Sequence, residues 1–230
     1  MISTLEKEIT FRFLNARKKD GFLNVISIFS FIGISLGVAV LIIVMSVMNG
    51  FRTELINKIV GFNAHVTVKP YDKILNYNDI KDDTLDLISN NLILSNSSEA
   101  IIIREQNSKG VLLRGYLKED FSKLQLINNK NFVGRNKDIE KNSISIGREL
   151  SFNLDLDIGD NITIMSSSGV GTIIGNLPKQ KTFIVTSIFE SGLADFDNNI
   201  IFLNLNTLEE FSNLSEKDRN LEIYLKTPKN

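Results

Sequence analysis

Three rhythms of apolar residues run along the chain. In the first, Ile2, Leu5, Ile9 and Phe13 recur at steps of three and four, while Glu6, Lys7, Glu8, Thr10 and Arg12 fall largely elsewhere. That is the period of an amphipathic helix, and it predicts one within residues 1–20, lying on a membrane surface. In the second, residues 21–51 read GFLNVISIFSFIGISLGVAVLIIVMSVMNGF without one ionisable side chain. The run is too long for an ordinary buried core helix and predicts a transmembrane helix. At about 1.5 Å per residue, residues 22–48 give roughly 40 Å of helix against roughly 30 Å of hydrocarbon, so the helix tilts or emerges. Arg52, Glu54 and Lys58, following Asn49 and Gly50, mark where it continues or briefly breaks outside the bilayer.

The third rhythm occupies residues 52–230, where no further run of 18 apolar residues occurs. Alternation and β-branched runs predict strands at 64–69, 100–104, 111–116, 143–146, 161–165, 182–189, 200–203 and 221–225. Helical spacing predicts helices near 77–89, 119–126, 148–153 and 207–214. The expected fold class is α+β. Helices between strands allow parallel crossovers, but the close spacing of the last strands favours antiparallel pairing.

Charge orients the span. Arg12, Arg17, Lys18 and Lys19 precede it, partly offset by Asp20, and only Arg52 and Lys58 follow closely. The positive-inside rule then places the N-terminus in the cytoplasm and everything beyond Arg52 outside. A cleaved signal peptide fits less well, because its apolar core is about 7 to 15 residues with a small-residue cleavage site behind it. Within the helix, Gly33 and Gly37 share one face at the spacing that lets two helices approach closely, with Ser30 and Ser35 as possible interhelical donors. The general abundance of glycine in membrane helices explains the same residues without a partner.

Composition removes several chemistries. The chain carries 26 basic and 27 acidic residues and a net charge of -1, which gives no basic face for nucleic acid. With no cysteine there is no disulfide, thiolate metal site or cysteine nucleophile. His65 is the sole histidine and lies on an expected strand, where a structural or surface role is the simpler reading and no metal site is expected. No GxSxG elbow occurs, and the pairs Asp82/Asp83 and Asp155/Asp157 suit solvated turns and caps. No catalytic residue and no cofactor is expected in this chain.

One connection stands apart. Residues 166–181, SSSGVGTIIGNLPKQK, lie between two expected strands and form a loop too long for a tight hairpin. Gly169, Gly171 and Gly175 give GxGxxxG, which is neither a dinucleotide fingerprint nor a phosphate loop. Val170, Ile173, Ile174 and Leu177, flanked by Lys179 and Lys181, are the makings of an exposed apolar arm that binds protein. The alternative is a covered loop folded back on the sheet.

FLNVISIFSFIGISLGVAVLIIVMSVMNGFRTEL, followed by KIVGFNAHVTV, resembles the first membrane helix and first periplasmic strand of the lipoprotein-releasing system permeases, the LolC/LolE family. FRFLNARKKDGF looks like that family's amphipathic entry, and ISIGRELSFNLDLDIGDNITI resembles the core shared with the broader MacB-like permeases. TIIGNLPKQKTFIVTSIFESGLADFDNNIIFLNL resembles the segment that forms a protruding β-hairpin hook. The resemblance implies a cytoplasmic amphipathic helix at 1–20, membrane helix 1 at 21–51 and a MacB-like periplasmic domain at 52–230, shortened before further membrane helices. It implies a permease subunit in the cell inner membrane that draws lipoprotein cargo from the bilayer and hands it to a LolA-like periplasmic carrier. Its other partners would be a second permease subunit and a LolD-like cytoplasmic ATPase, with the nucleotide chemistry confined to the ATPase. The hook carries over to Thr172, Ile173, Ile174, Gly175, Asn176, Leu177 and Pro178, with a polar pad at Gln180 and Lys181. Ile162 or Thr163 stands where a pad arginine is expected. The face bearing Gly33, Gly37, Leu41, Val44 and Met48 would pack a neighbouring helix or line the lipoprotein cavity.

Two other classes compete with this reading. One is a MacB-like export permease or an FtsX-like regulator of a cell-wall hydrolase. The other is a single-pass periplasmic adaptor.

Overall fold

The uncharged run closes into one unbroken helix, α2 (Gly21–Phe62), in a computed structural model that describes residues 3–14, 21–71, 74–75, 83–104, 107–128, 132–134, 139–172 and 175–226. The helix therefore continues past Asn49 and Gly50. Contacts divide the chain into two units, Met1–Leu55 and Ile56–Asn230.

In the first unit, α1 (Thr4–Leu14) opens on a capping box. The Ser3 N–H donates to Glu6 Oε2 at 2.7 Å, and the Glu6 N–H donates to Ser3 Oγ at 3.3 Å, so two otherwise unpaired donors are satisfied. Leu5, Ile9 and Phe11 are exposed on this helix, while Ile2 and the Phe13 side chain lie outside the described residues. The described side chains of α2 as far as Glu54 are all exposed, from Phe22 onward. By length and composition, residues Val25–Phe62 form a helix able to cross a membrane, with a mean hydropathy of 2.8 over its most apolar stretch and none of that stretch buried. Burial by lipid satisfies such a surface.

The second unit is built on a nine-stranded mixed sheet. Its strands are β1 (Val66–Val68), β2 (Ser89–Arg104), β3 (Asn107–Tyr116), β4 (Val133–Gly134), β5 (Ser143–Gly147), β6 (Asn161–Thr172), β7 (Gly175–Phe189), β8 (Ile200–Asn204) and β9 (Asn220–Leu225). The order is β1-β9-β2-β3-β8-β5-β7-β4, with β6 joining β2 to β7. Helices α3 (Asp83–Ile88), α4 (Lys118–Phe121), α5 (Arg148–Asn153), α6 (Ala194–Asn199) and α7 (Leu205–Ser212) connect the strands.

The expected antiparallel pairing of the last strands is corrected. β8 runs parallel to β3 and antiparallel to β5, while β9 pairs with β1 and β2, so β7, β8 and β9 are not neighbours of one another. The reason is α6 and α7, which carry the chain across the sheet between these strands in place of tight turns. β2 begins at Ser89, eleven residues before the expected strand, and takes the last residue of the helix expected at 77–89. Residues 76–82 lie outside the described residues.

Strand alternation gives the sheet two faces. On one, Ile102, Leu113, Ile164, Phe183 and Ile201 are buried, and α7 packs so closely that a Cβ on Gly115 would stand 2.8 Å from Leu208 and 3.0 Å from the Leu205 backbone. On the other, Phe202 gathers an aromatic cluster with ring centroids 4.7 Å from Phe189, 5.7 Å from Tyr116 and 5.8 Å from Phe121. Phe62, the last residue of α2, joins this cluster through Phe196 at 4.2 Å. Such tilted ring pairs add to the stabilisation from burial alone.

Candidate functional site

The segment that spacing reads as a long loop is a hairpin, the form the resemblance implies. β6 and β7 pair from Asn161↔Ile184 to Met165↔Gln180, slip between Met165 and Gly169, and pair again from Gly169↔Pro178 to Thr172↔Gly175. The slip takes Ser166, Ser167 and Ser168 out of register with β7, although Ser166 still pairs with Ala100 of β2. Serine hydroxyls absorb it: Ser168 Oγ lies 2.9 Å from Ser166 Oγ and donates to the Ser212 carbonyl at 2.6 Å. An unpaired stretch of this kind bends and twists a ribbon, which re-aims what lies beyond it.

Besides the Ser168 hydroxyl, two side chains fasten the ribbon to the end of α7. Lys179 Nζ donates to the Glu210 carbonyl at 2.9 Å and to Asn213 Oδ1. The Asn213 amide donates in turn to the Gly169 carbonyl at 3.3 Å. Asn213 can do this because it ends α7 in the left-handed conformation, φ 55°, one of the few non-glycine residues that adopts it readily. The base of the hairpin is thus fixed on both strands, while Leu177 further out is 53% exposed.

Of the seven residues expected in the hook, Ile173 and Ile174 lie outside the described residues. Thr172, Gly175 and Asn176 are placed by backbone only, and Leu177 and Pro178 are exposed. Gln180 and Lys181 are adjacent on β7 and so point to opposite faces. Gln180 Nε2 reaches Met165 Sδ at 3.8 Å on the outer face, whereas Lys181 Nζ lies 5.2 Å from the Phe183 ring centroid on the core side. Thr163 faces outward and its hydroxyl lies 3.2 Å from that of Thr182, while Ile162 is buried. In α2, no atom lies within 4 Å of a Cβ built on Gly33 or Gly37, and Leu41, Val44 and Met48 are exposed.

Sequence reasoning missed a polar residue that is among the most heavily bonded of the described ones. Glu222 on β9 is 4% exposed and accepts from Arg114 Nη2 at 2.8 Å, Ser95 Oγ at 2.6 Å, Tyr224 OH at 2.9 Å and Tyr116 OH at 3.1 Å. Arg114 Nη1 also donates to Asn63 Oδ1 at 3.3 Å, one residue past α2. Burial alone would lower the Arg114 guanidinium, but Tyr116 and Glu222 outweigh it and hold it above its ordinary value. Burial pushes both tyrosines up, so neither phenol ionises near neutrality. An ion pair capped by neutral phenols suits scaffolding. The available signal was an acid inside the apolar alternation LEIYL.

His65 is structural in the same way: Nδ1 accepts from the Leu225 N–H at 2.7 Å, leaving Nε2 to donate to the Val60 carbonyl at 3.1 Å. Among the described residues, no three His, Cys, Asp or Glu side chains are grouped to hold a metal ion.

A family model described as the MacB-like periplasmic core domain matches residues 27–230. The lipoprotein-releasing system transmembrane protein LolC of Xylella fastidiosa is 27% identical over 216 residues, covering 91% of this chain and 52% of that protein. The LolE protein of Haemophilus influenzae is 30% identical over 204 residues, covering 82% of this chain and 47% of that protein. The chain spans about half the length of the curated relatives it matches. Among solved structures, the periplasmic region of MacB from Actinobacillus actinomycetemcomitans aligns with a TM-score of 0.42 at 11% identity, covering 74% of this chain and 78% of that one.

Proposed function

The chain belongs to the family of MacB-like periplasmic core domains, and on that premise we propose that it serves in an inner-membrane permease that releases lipoproteins to a periplasmic carrier. α2 crosses the membrane with the N-terminus in the cytoplasm, and residues beyond it fold in the periplasm. The hairpin formed by β6 and β7 docks the carrier. The work of drawing acyl chains from lipid, about 0.8 kcal/mol per buried CH₂, comes from ATP hydrolysis in a separate cytoplasmic subunit, and a second permease subunit completes the cavity. Gly33, Gly37, Leu41, Val44 and Met48 face that subunit or the cargo.

The observation that carries this reading is the hairpin itself: a ribbon fastened at its base to α7 and exposing Leu177 beyond it, in a chain whose sequence is similar to LolC over 91% of its length. An apolar side chain presented on a rigid support is the form that binding anchors take. Depleting the chain from cells tests the function. An outer-membrane lipoprotein is then expected to stay in the inner-membrane fraction, and normal sorting would overturn the proposal.

A further inference from the structure

The sheet face that carries Gln180 is only half covered. Toward one end, Tyr116 and Phe202 on this face are buried in the aromatic cluster. Toward the other, Ile101 and Leu112 are 40% and 36% exposed. Register places Gly110, Ile101, Met165 and Gln180 in one row across β3, β2, β6 and β7, and Leu112 beside Glu99 in the next outward-facing row. Gly110 leaves a gap in this surface, because a Cβ there would meet nothing within 4 Å. The result is a mainly apolar groove of about 510 Å³ whose lining includes Ile101, Gly110, Leu112 and Glu99.

We propose that this groove is a second docking surface for the periplasmic carrier, taking an apolar side chain over Gly110 and a basic side chain at Glu99. The proposal rests on the reading of the hairpin as the carrier's primary site. Strands stand about 4.8 Å apart, so the groove at Gly110 lies only roughly 14 Å across the sheet from Gln180. A stable interface covers about 800 Å² of each partner, enough for a carrier seated at the hairpin base to reach the groove. Glu99 is exposed with no ion pair among the described residues, and Arg114, two residues along β3 from Leu112 on the same face, is engaged by Glu222 at 2.8 Å. The chemistry that completes the site is therefore an apolar anchor with a lysine or arginine beside it.

Carrier affinity of the whole detergent-solubilised protein tests this in three variants. Gly110→Leu fills the gap, Glu99→Lys reverses the rim charge, and the third removes residues 172–177. Gly110→Leu and Glu99→Lys are each expected to weaken binding about tenfold or more with the thermal midpoint unchanged. If both bind within twofold of wild type while the deletion abolishes binding, the groove is overturned and the hairpin reading stands. If the deletion leaves binding intact while the groove variants weaken it, the hairpin reading falls and the groove alone holds the carrier. If Gly110→Leu instead changes the oligomeric state and leaves carrier affinity untouched, the groove belongs to a second copy of the chain and the proposal fails.

Discussion

Glu222 accepts hydrogen bonds from four side chains, one of them the buried Arg114 cation, in a position where a strand of this sheet would otherwise place an apolar side chain. Removing one partner of such a pair leaves the other charge buried and unpaired, which costs about 3–5 kcal/mol. Glu222→Ala is therefore expected to lower unfolding free energy by that amount in a denaturant titration, with Arg114→Ala close behind; a loss below about 1 kcal/mol would mean water replaces the missing partner. Asp197 is the opposite case. Burial raises its carboxyl above the ordinary 3.8, only partly offset by the N–H groups of Ser191 and Gly192. The folded state thus keeps this proton longer than the unfolded one, so its contribution falls as pH climbs from about 4 through the folded value. Wild type is expected to lose stability relative to Asp197→Asn over that climb, whereas a pH-independent difference would contradict the assignment. Neither residue stood out in the sequence, since composition and spacing do not reveal which acid is enclosed.

At the scale of elements, the regular strands were legible and the polar ones were not. β5, β8 and β9 advertise themselves by β-branched alternation and form within one residue of the expected bounds, while β7 ends at Phe189 as expected but begins seven residues earlier, at Gly175. The first part of β2, SNNLILSNSSE, hides because its buried Ser95 and Asn96 are polar, satisfied by Glu222 and Glu209. α6, ADFDNN, shows no helical stripe, being six residues long with Asp197 as its fully buried member. The hairpin was half legible: glycine spacing marked an unusual connection, but a ladder interrupted by a three-serine slip leaves no periodic trace. α7 shows how such an element is secured. Asn204 caps it by accepting from the N–H groups of Asn206 at 3.1 Å and Thr207 at 3.4 Å, so Asn204→Ala is expected to cost about 0.5–2 kcal/mol. Asn213→Gly keeps the left-handed turn while cutting both side-chain ties to the hairpin. Faster amide exchange in 169–172 and 175–179 with little change in thermal midpoint is expected, and unchanged exchange would show that the ribbon does not depend on the Asn213 side chain.

For the whole molecule, the membrane helix was the plainest message of the sequence, because 31 consecutive residues without charge admit few other fates. Of the two readings of Arg52, Glu54 and Lys58, continuation rather than a break is the one found: α2 extends to Phe62, where an apolar side chain enters the aromatic cluster of the second unit. The proposed orientation rests on the basic residues ahead of the span. Alkaline phosphatase fused after residue 100 is expected to be active, while a signal only from a reporter that works in the cytoplasm would reverse the topology. The central claim is that the hairpin between β6 and β7 meets the carrier, and removal of residues 172–177 addresses it most directly. In a carrier pull-down with the solubilised protein, binding is expected to vanish while circular dichroism and the thermal midpoint stay at wild-type values; carrier retained at the wild-type level by a folded deletion variant would contradict the claim.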